Sequence, residues 1–420
     1  MKYRIIALLM TCLIMILPGT SGCSDSAISD GSSSSEEPVS SNDSGAAYDF
    51  LPEGFIKGMD VSSVISLEQS GVVFYGTDGK PQDLMKTLSE AGVNYIRVRV
   101  WNDPYDANGN GYGGGNCDAE KAAETGRRAA KYGMKLLVDF HYSDFWADPS
   151  RQYAPKAWRE MPVEEKSAAL YDFTVSSLET ISSAGADIGM VQIGNEINSG
   201  LAGESDWKNV SVLLQSASKA VRDFSVSCGA AIKIAVHFAP ASDRAGMLWY
   251  AGMLNGFMVD YDVFGVSYYP YWHGSLPGMK ELLSDVKEKY GKQTVVLETA
   301  YPYTLEDGDG FQNIAGQSEL LPDYPASTQG QADCVRAVMN ATAQCGALGV
   351  FYWEGAWIPV GDDPKSNSEK WEKYGSGWAS SYCAEYDPDN GGKYYGGSTW
   401  DNQAFFGADG KPLDSLKVFG

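Results

Sequence analysis

The stretch VQIGNEINSG at 191–200 decides the fold. Val191, Gln192, Ile193 and a glycine lead straight into an amide and an acid, Asn195 and Glu196. A buried strand has no packing use for a carboxyl group, so this one is aimed out of a sheet end. TVVLETA at 294–300 repeats the pattern at Glu298. Working outward, short apolar, β-rich runs predict strands over 55–61, 95–101, 135–142, 190–196, 233–239, 263–269, 294–299 and 348–354. Several are almost continuously apolar, as parallel strands covered on both faces must be. Helical patterns fall between them, over 83–91, 118–132, 162–184, 212–224, 245–254, 279–290 and 331–343. A short helix over 413–419 closes the series. Asp118 is placed as an N-cap, Gly133 as a stop and Pro162 in a first turn. Eight β-then-α units predict an α/β fold, a (β/α)8 TIM barrel over 48–420 with a single catalytic domain. An open doubly wound sheet would carry a glycine-rich phosphate turn after its first strand, and DVSSV at 60–64 is no such turn.

Composition narrows the ligand. The 420 residues carry a formal net charge of -22, and 44% are hydrophobic. An acidic surface repels nucleic acid and anionic lipid, and permits a neutral substrate. Lys2 and Arg4 precede the apolar run 5–17, which is short for a membrane span, so 1–22 reads as a signal peptide. Cys23 follows Ser21 and Gly22, as in a bacterial lipoprotein signal in which the cysteine is acylated. Residues 23–47 are Ser-, Gly- and acid-rich and read as a disordered tether. The expected location is extracellular or at the cell surface, with membrane contact only through the lipid anchor, and the expected state is a monomer. Cys117, Cys228, Cys334, Cys345 and Cys383 show no paired zinc spacing, and one disulfide of unspecified pairing is open to them.

A barrel builds its active site at the C-terminal ends of its strands. Those ends here are Asp60, Arg97 with Arg99, His141, Asn195 with Glu196, His237, Tyr268, Glu298, and Trp353 with Glu354. Any one of these has a bland reading as a solvated loop group or an ion-pair partner. Their coincidence at equivalent positions of all eight strands points to a site.

The stretches GMDVSS, VRVWNDP, LLVDFHYSDFWADP, KAW, VQIGNEIN, LETAYPYT, GVFYWEGAWIPVG and YGSGWASSY together resemble glycoside hydrolase family 53, the endo-β-1,4-galactanases. The similarity runs from about Gly54 to the C-terminus. It implies retaining cleavage of β-1,4-galactan or type I arabinogalactan, a neutral polysaccharide, with Glu196 as acid/base and Glu298 as nucleophile. Such a pair sits about 5–5.5 Å apart, and repulsion raises one pKa; that one is assigned to Glu196. Arg99 is expected to keep Glu298 ionised and Tyr268 to orient it. His237 is expected to bond Glu196, and Asn195 the sugar 2-hydroxyl. His141, Asp144 and Trp146 after the third strand, and Trp353 and Trp357 at the eighth, are the remaining substrate-binding candidates. Trp357 is read equally well as core. Alternatives are another retaining glycosidase of the same clan, acting on mannan, xylan or glucan, and a non-catalytic glycan-binding lipoprotein.

LEDGDGFQNI at 305–314 sets Asp307, Asp309 and Asn313 in a tight glycine-rich loop of hard oxygen donors. Ser318 stands where an EF-hand needs glutamate, so it is no EF-hand. The family resemblance implies a structural Ca2+ here, its shell completed by Ser398 and Asp401 of GGSTWDN. Phe311 departs from the family's histidine. The alternative is a solvated acidic turn. DANGNGYGGGN at 106–116 reads as a long substrate-facing loop.

Overall fold

Eight parallel strands pair in sequence order and close on themselves, β1 (Ile56–Asp60) with β2 (Tyr95–Val100), and so on to β8 (Gly349–Tyr352), which pairs back with β1. The computed structural model describes residues 51–388 and 396–420. The signal segment, the tether and the Cys23 acylation site lie outside the described residues. The other strands are β3 (Lys135–Phe140), β4 (Ile188–Ile193), β5 (Lys233–Phe238), β6 (Val263–Ser267) and β7 (Gln293–Thr299). All eight fall inside the expected runs or within two residues of them.

Among the described residues, helices α1 (Val64–Gln69) and α2 (Leu84–Glu90) follow β1. Then one long helix follows each strand: α3 (Ala119–Lys131), α4 (Val163–Ser183), α5 (Trp207–Cys228), α6 (Arg244–Gly256), α7 (Leu276–Tyr290) and α8 (Thr328–Gln344). Their starts are written in short polar side chains. Asp83, Asp118, Asp206, Asp243, Ser275 and Ser327 each accept a first-turn amide hydrogen, satisfying donors the helix leaves open. Pro162 sits one position earlier than expected, at the N-cap itself. The expected closing helix is a 3-10 turn over Asp414–Phe419. An α-helix that the sequence reading missed, α9 (Pro364–Tyr374), lies in the long excursion after β8. No helix among the described residues is long and apolar enough to cross a membrane.

Two apolar layers result. One lies between sheet and helices. The other fills the barrel's interior floor with Ile56, Tyr95, Leu137, Met190, Ala235, Val263, Val295, Leu297 and Phe351. Gly58 is required there, since a Cβ would stand 2.2 Å from a Phe351 ring carbon. Above this floor the inward positions turn polar, and chemistry begins. The five cysteines downstream of the tether are free thiols.

Candidate active site

Arg97 is the hub of the polar layer. It is wholly buried, and its guanidinium reaches Asp60 at 3.2 Å, Asp139 at 2.9 Å and Glu298 at 2.9 Å. It also donates to Asn195 Oδ1 at 3.1 Å and to Gln192 Oε1 at 3.3 Å. The expected partner of Glu298, Arg99, lies one inward position further up the same strand. It pairs instead with Glu354 at 2.6 Å and Asp60 at 3.5 Å, and stacks over Trp146 at 4.5 Å. Two arginines spaced by two residues share a face, and the depth of Glu298 selects the lower one.

Glu298 faces the hub because β7 is irregular. Leu297 belongs to the barrel floor, so strict alternation would turn Glu298 outward. The register shifts by one residue between Val266 and Ser267, bringing Glu298 opposite Ser267. Such a bulge re-aims a side chain. Tyr269 Oη then donates to Glu298 Oε2 at 2.9 Å. Tyr268, the expected orienting residue, points the other way and donates to the Gly274 carbonyl. Burial pushes the Glu298 carboxyl up, and Arg97 and the Tyr269 hydroxyl pull it back.

Glu196 stands across from it, at the end of β4. Its backbone takes φ 44°, a left-handed conformation that a glutamate adopts only where its surroundings impose it. Burial and the charge of Glu298 push its carboxyl well above the usual range. Its bonded partner is Ser267, whose hydroxyl lies 2.6 Å from Oε1. His237 does not touch Glu196 through a hydrogen bond; its Nε2 meets Ser267 Oγ at 2.9 Å and its Nδ1 meets Asn195 Oδ1 at 2.9 Å. Asn195 is itself engaged below the site, since Nδ2 donates to the Ala147 carbonyl.

Other residues expected to meet the sugar also bond within the protein. His141 places Nε2 3.1 Å from Asp139 and accepts the Ala147 amide hydrogen at Nδ1, so both ring nitrogens are engaged. Asp144 is fully buried and accepts the Asp103 and Lys156 amide hydrogens, tying two loops together. Trp357 is fully buried and donates to the Ser376 carbonyl, which makes it core. Trp146 and Trp353 form the inner wall with it. Trp378 stacks on Trp146 at 4.6 Å and on Trp357 at 5.9 Å, and keeps part of its surface open. The loop 106–116 does not face substrate along its length: residues 111–116 are buried. A Cβ at Gly114 would meet the Trp146 ring at 2.7 Å. Tyr269, Ser267 and Trp378 were missed as candidates. Ser267 ends β6 and Tyr269 follows it, both on the inward parity that period-2 counting from Val263 would have found.

A second cluster joins the loop after β7 to the C-terminal segment around Asp401. Carboxylate oxygens of Asp307, Asp309 and Asp401 all fall within 4.8 Å of one another. Asp401 Oδ1 and Asn313 Oδ1 are buried without a hydrogen-bond partner. Burial raises Asp309 to about 6, and burial with Asp309 raises Asp401 to about 7. Lone oxygens and crowded acids of this kind fit a hard divalent cation. Ser398 meets the cluster through its backbone, donating N–H to Asp309 Oδ2, while its hydroxyl accepts from Trp400 N. Phe311 donates its amide hydrogen to Asp309, and its ring packs on Trp371.

A closed parallel barrel with two facing glutamates at the ends of its fourth and seventh strands is the architecture of a glycoside hydrolase. The profile of Glycosyl hydrolase family 53 matches residues 56–419, and the chain belongs to that family. A protein named Endo-beta-1,4-galactanase from Bacillus subtilis (strain 168) is 56% identical over 375 residues, 88% of this chain and 86% of that one. An Arabinogalactan endo-beta-1,4-galactanase from Cellvibrio japonicus (strain Ueda107) is 34% identical over 314 residues, 72% of this chain and 81% of that one. The Ignisphaera aggregans GH53 catalytic domain superposes with a TM-score of 0.78 at 38% identity, covering 89% of this chain and 97% of its own.

Proposed function

We propose that this enzyme cuts internal β-1,4-galactosidic bonds of galactan with retention of configuration. The observation that carries the reading is the Glu196–Glu298 pair, in which one acid is driven toward protonation and the other is held by Arg97. Cleavage makes an oxocarbenium-like centre and a poor alkoxide leaving group. Glu196, protonated, gives its proton to the glycosidic oxygen while Glu298, ionised, attacks the anomeric carbon. The covalent glycosyl–Glu298 ester forms as the C–O bond to the leaving chain breaks. Glu196, now ionised, then takes a proton from water, whose oxygen displaces Glu298 and regenerates both acids. Tyr269 and Arg97 stabilise the Glu298 carboxylate as it departs. The aromatic wall of Trp353 and Trp378, backed by Trp146, offers apolar faces to the C–H faces of galactose. The named activity of the Bacillus subtilis relative supports galactan over other polymers.

We infer also that Asp307, Asp309, Asn313 and Asp401 hold a structural Ca2+. The ion would supply charge neutralisation to buried acids and no chemistry at the glycosidic bond. Reducing-end release tests the substrate assignment. Unsubstituted β-1,4-galactan should be cut far faster than mannan, xylan or β-glucan, and a preference for any of those would replace the assignment.

A further inference from the structure

We propose that Ser267, braced by His237, is a positioning residue that reverses its hydrogen bond as Glu196 changes protonation, accepting from the acid and donating to the carboxylate. This rests on the reading of Glu196 as acid/base.

The bond network below Glu196 fixes one end of the relay. Arg97 can only donate, so the Asn195 atom it contacts is an oxygen, an acceptor. That oxygen lies 2.9 Å from His237 Nδ1, which must therefore carry a hydrogen. Gln192 Nε2 also sits 3.1 Å from Nδ1, but both its hydrogens go elsewhere, to Gly194 O and Asn195 Oδ1. Burial and Arg97 hold His237 neutral. A neutral ring with hydrogen on Nδ1 has a bare Nε2, and its neighbour is Ser267 Oγ at 2.9 Å. The serine hydroxyl owns one hydrogen and has two acceptors, His237 Nε2 and Glu196 Oε1.

The protonation state of Glu196 decides between them. In the free enzyme, protonated Glu196 donates from Oε1 to Ser267 Oγ and the serine hydrogen turns to Nε2; when the proton leaves this bond for the glycosidic oxygen, the serine hydrogen turns back to Oε1. When Glu196 is ionised, the serine hydrogen turns to the carboxylate, where a charge-assisted bond is the stronger one. No covalent bond changes; one hydroxyl rotates. A hydroxyl suits this place because it is both donor and acceptor, and Glu196 alternates between acid and base in each turnover. The donating arm stabilises the ionised form, so Ser267 draws the Glu196 carboxyl down against burial and Glu298. The other groups facing Glu196 are Arg97 from β2, which draws it down, Asp148 after β3, which pushes it up, and Tyr269 after β6.

The test is kcat/KM against pH on an aryl β-1,4-galactobioside and on galactan, with wild type, Ser267→Ala, Ser267→Thr and Glu196→Gln. Loss of the Ser267 donor should move the alkaline limb to higher pH and lower kcat roughly tenfold, the rate equivalent of one hydrogen bond to a charged group. Ser267→Thr keeps the hydroxyl and should return the limb toward wild type. If Ser267→Ala does not fold stably, Ser267→Cys fills the same space with a weak donor and should show the same upward shift. An alkaline limb unmoved in folded Ser267→Ala or Ser267→Cys overturns the relay. Glu196→Gln separates the two readings. If it keeps the limb at the wild-type pH, the limb is not that of Glu196 and the acid/base reading fails. If the limb disappears there yet stays put without Ser267, the relay alone fails.

Discussion

Replacing Arg97 with methionine separates what this arginine does for the fold from what it does for Glu298. Arg97 and its partners Asp60 and Asp139 are fully buried. Arg97→Met leaves those two acids and Glu298 without their nearest cation. Removing one partner of a buried ion pair costs about 3–5 kcal/mol. A folded unit of some 370 residues has an unfolding entropy of roughly 0.8 kcal/mol/K, so Tm should fall by roughly 4–6 °C. Arg99→Met strands Glu354 and Asp60 in the same way and should cost a similar amount. The two variants part in their pH profiles. Arg97 lowers the Glu298 carboxyl, so its removal lets burial raise it. Glu298 must be ionised to attack, so the acidic limb of kcat/KM in Arg97→Met should move to higher pH. Arg99 has no bond to Glu298, and that limb should stay in place in Arg99→Met. Differential scanning calorimetry and initial rates on galactan across pH supply both readings. An unmoved acidic limb in folded Arg97→Met, or a shift produced by Arg99→Met instead, would refute the hub.

The remaining expectations concern the calcium loop and the aromatic wall. Asp309 and Asp401 are raised in the folded state, to about 6 and about 7, relative to 3.8 unfolded. The folded state therefore binds more protons than the unfolded one between these values, and stability falls as pH rises. With chelator, Tm should decline as pH rises from about 4 to 7; excess Ca2+ should raise Tm and flatten that decline, and Asp401→Ala should remove the calcium response. Identical melting curves with chelator and with Ca2+ would mean a solvated turn. Trp357→Ala should lower stability by about 3–5 kcal/mol, as for a core aromatic, with KM for galactan changed less than in Trp353→Ala; an unchanged Tm with a raised KM would return Trp357 to the substrate surface.

The barrel was legible because its strands are buried on both faces and most of its helices begin with Asp or Ser caps. Both signals are local. The two carboxylates proposed as catalytic were legible as acids at the ends of apolar strands. Their partners were less so, because partner choice depends on depth and face. Arg97 and Arg99 share a face and differ only in height within the barrel. Tyr268 and Tyr269 are adjacent and face opposite ways. Glu298 turns inward only through a register shift that no short-range pattern records. His237 acts at one remove, through a serine on the next strand. Trp357 was read equally as core and as substrate surface; its full burial and its bond to the Ser376 carbonyl, which comes from a distant stretch of chain, are what no local pattern records.

The most direct test of the central claim follows the anomeric protons of the first products by NMR while wild-type enzyme cuts linear β-1,4-galactan. Two displacements at one carbon restore its configuration, so the new reducing ends should appear first as the β-anomer and then mutarotate. Viscosity should fall before much free galactose forms. New ends that appear first as the α-anomer would mean a single displacement by water, and would contradict Glu298 as the nucleophile.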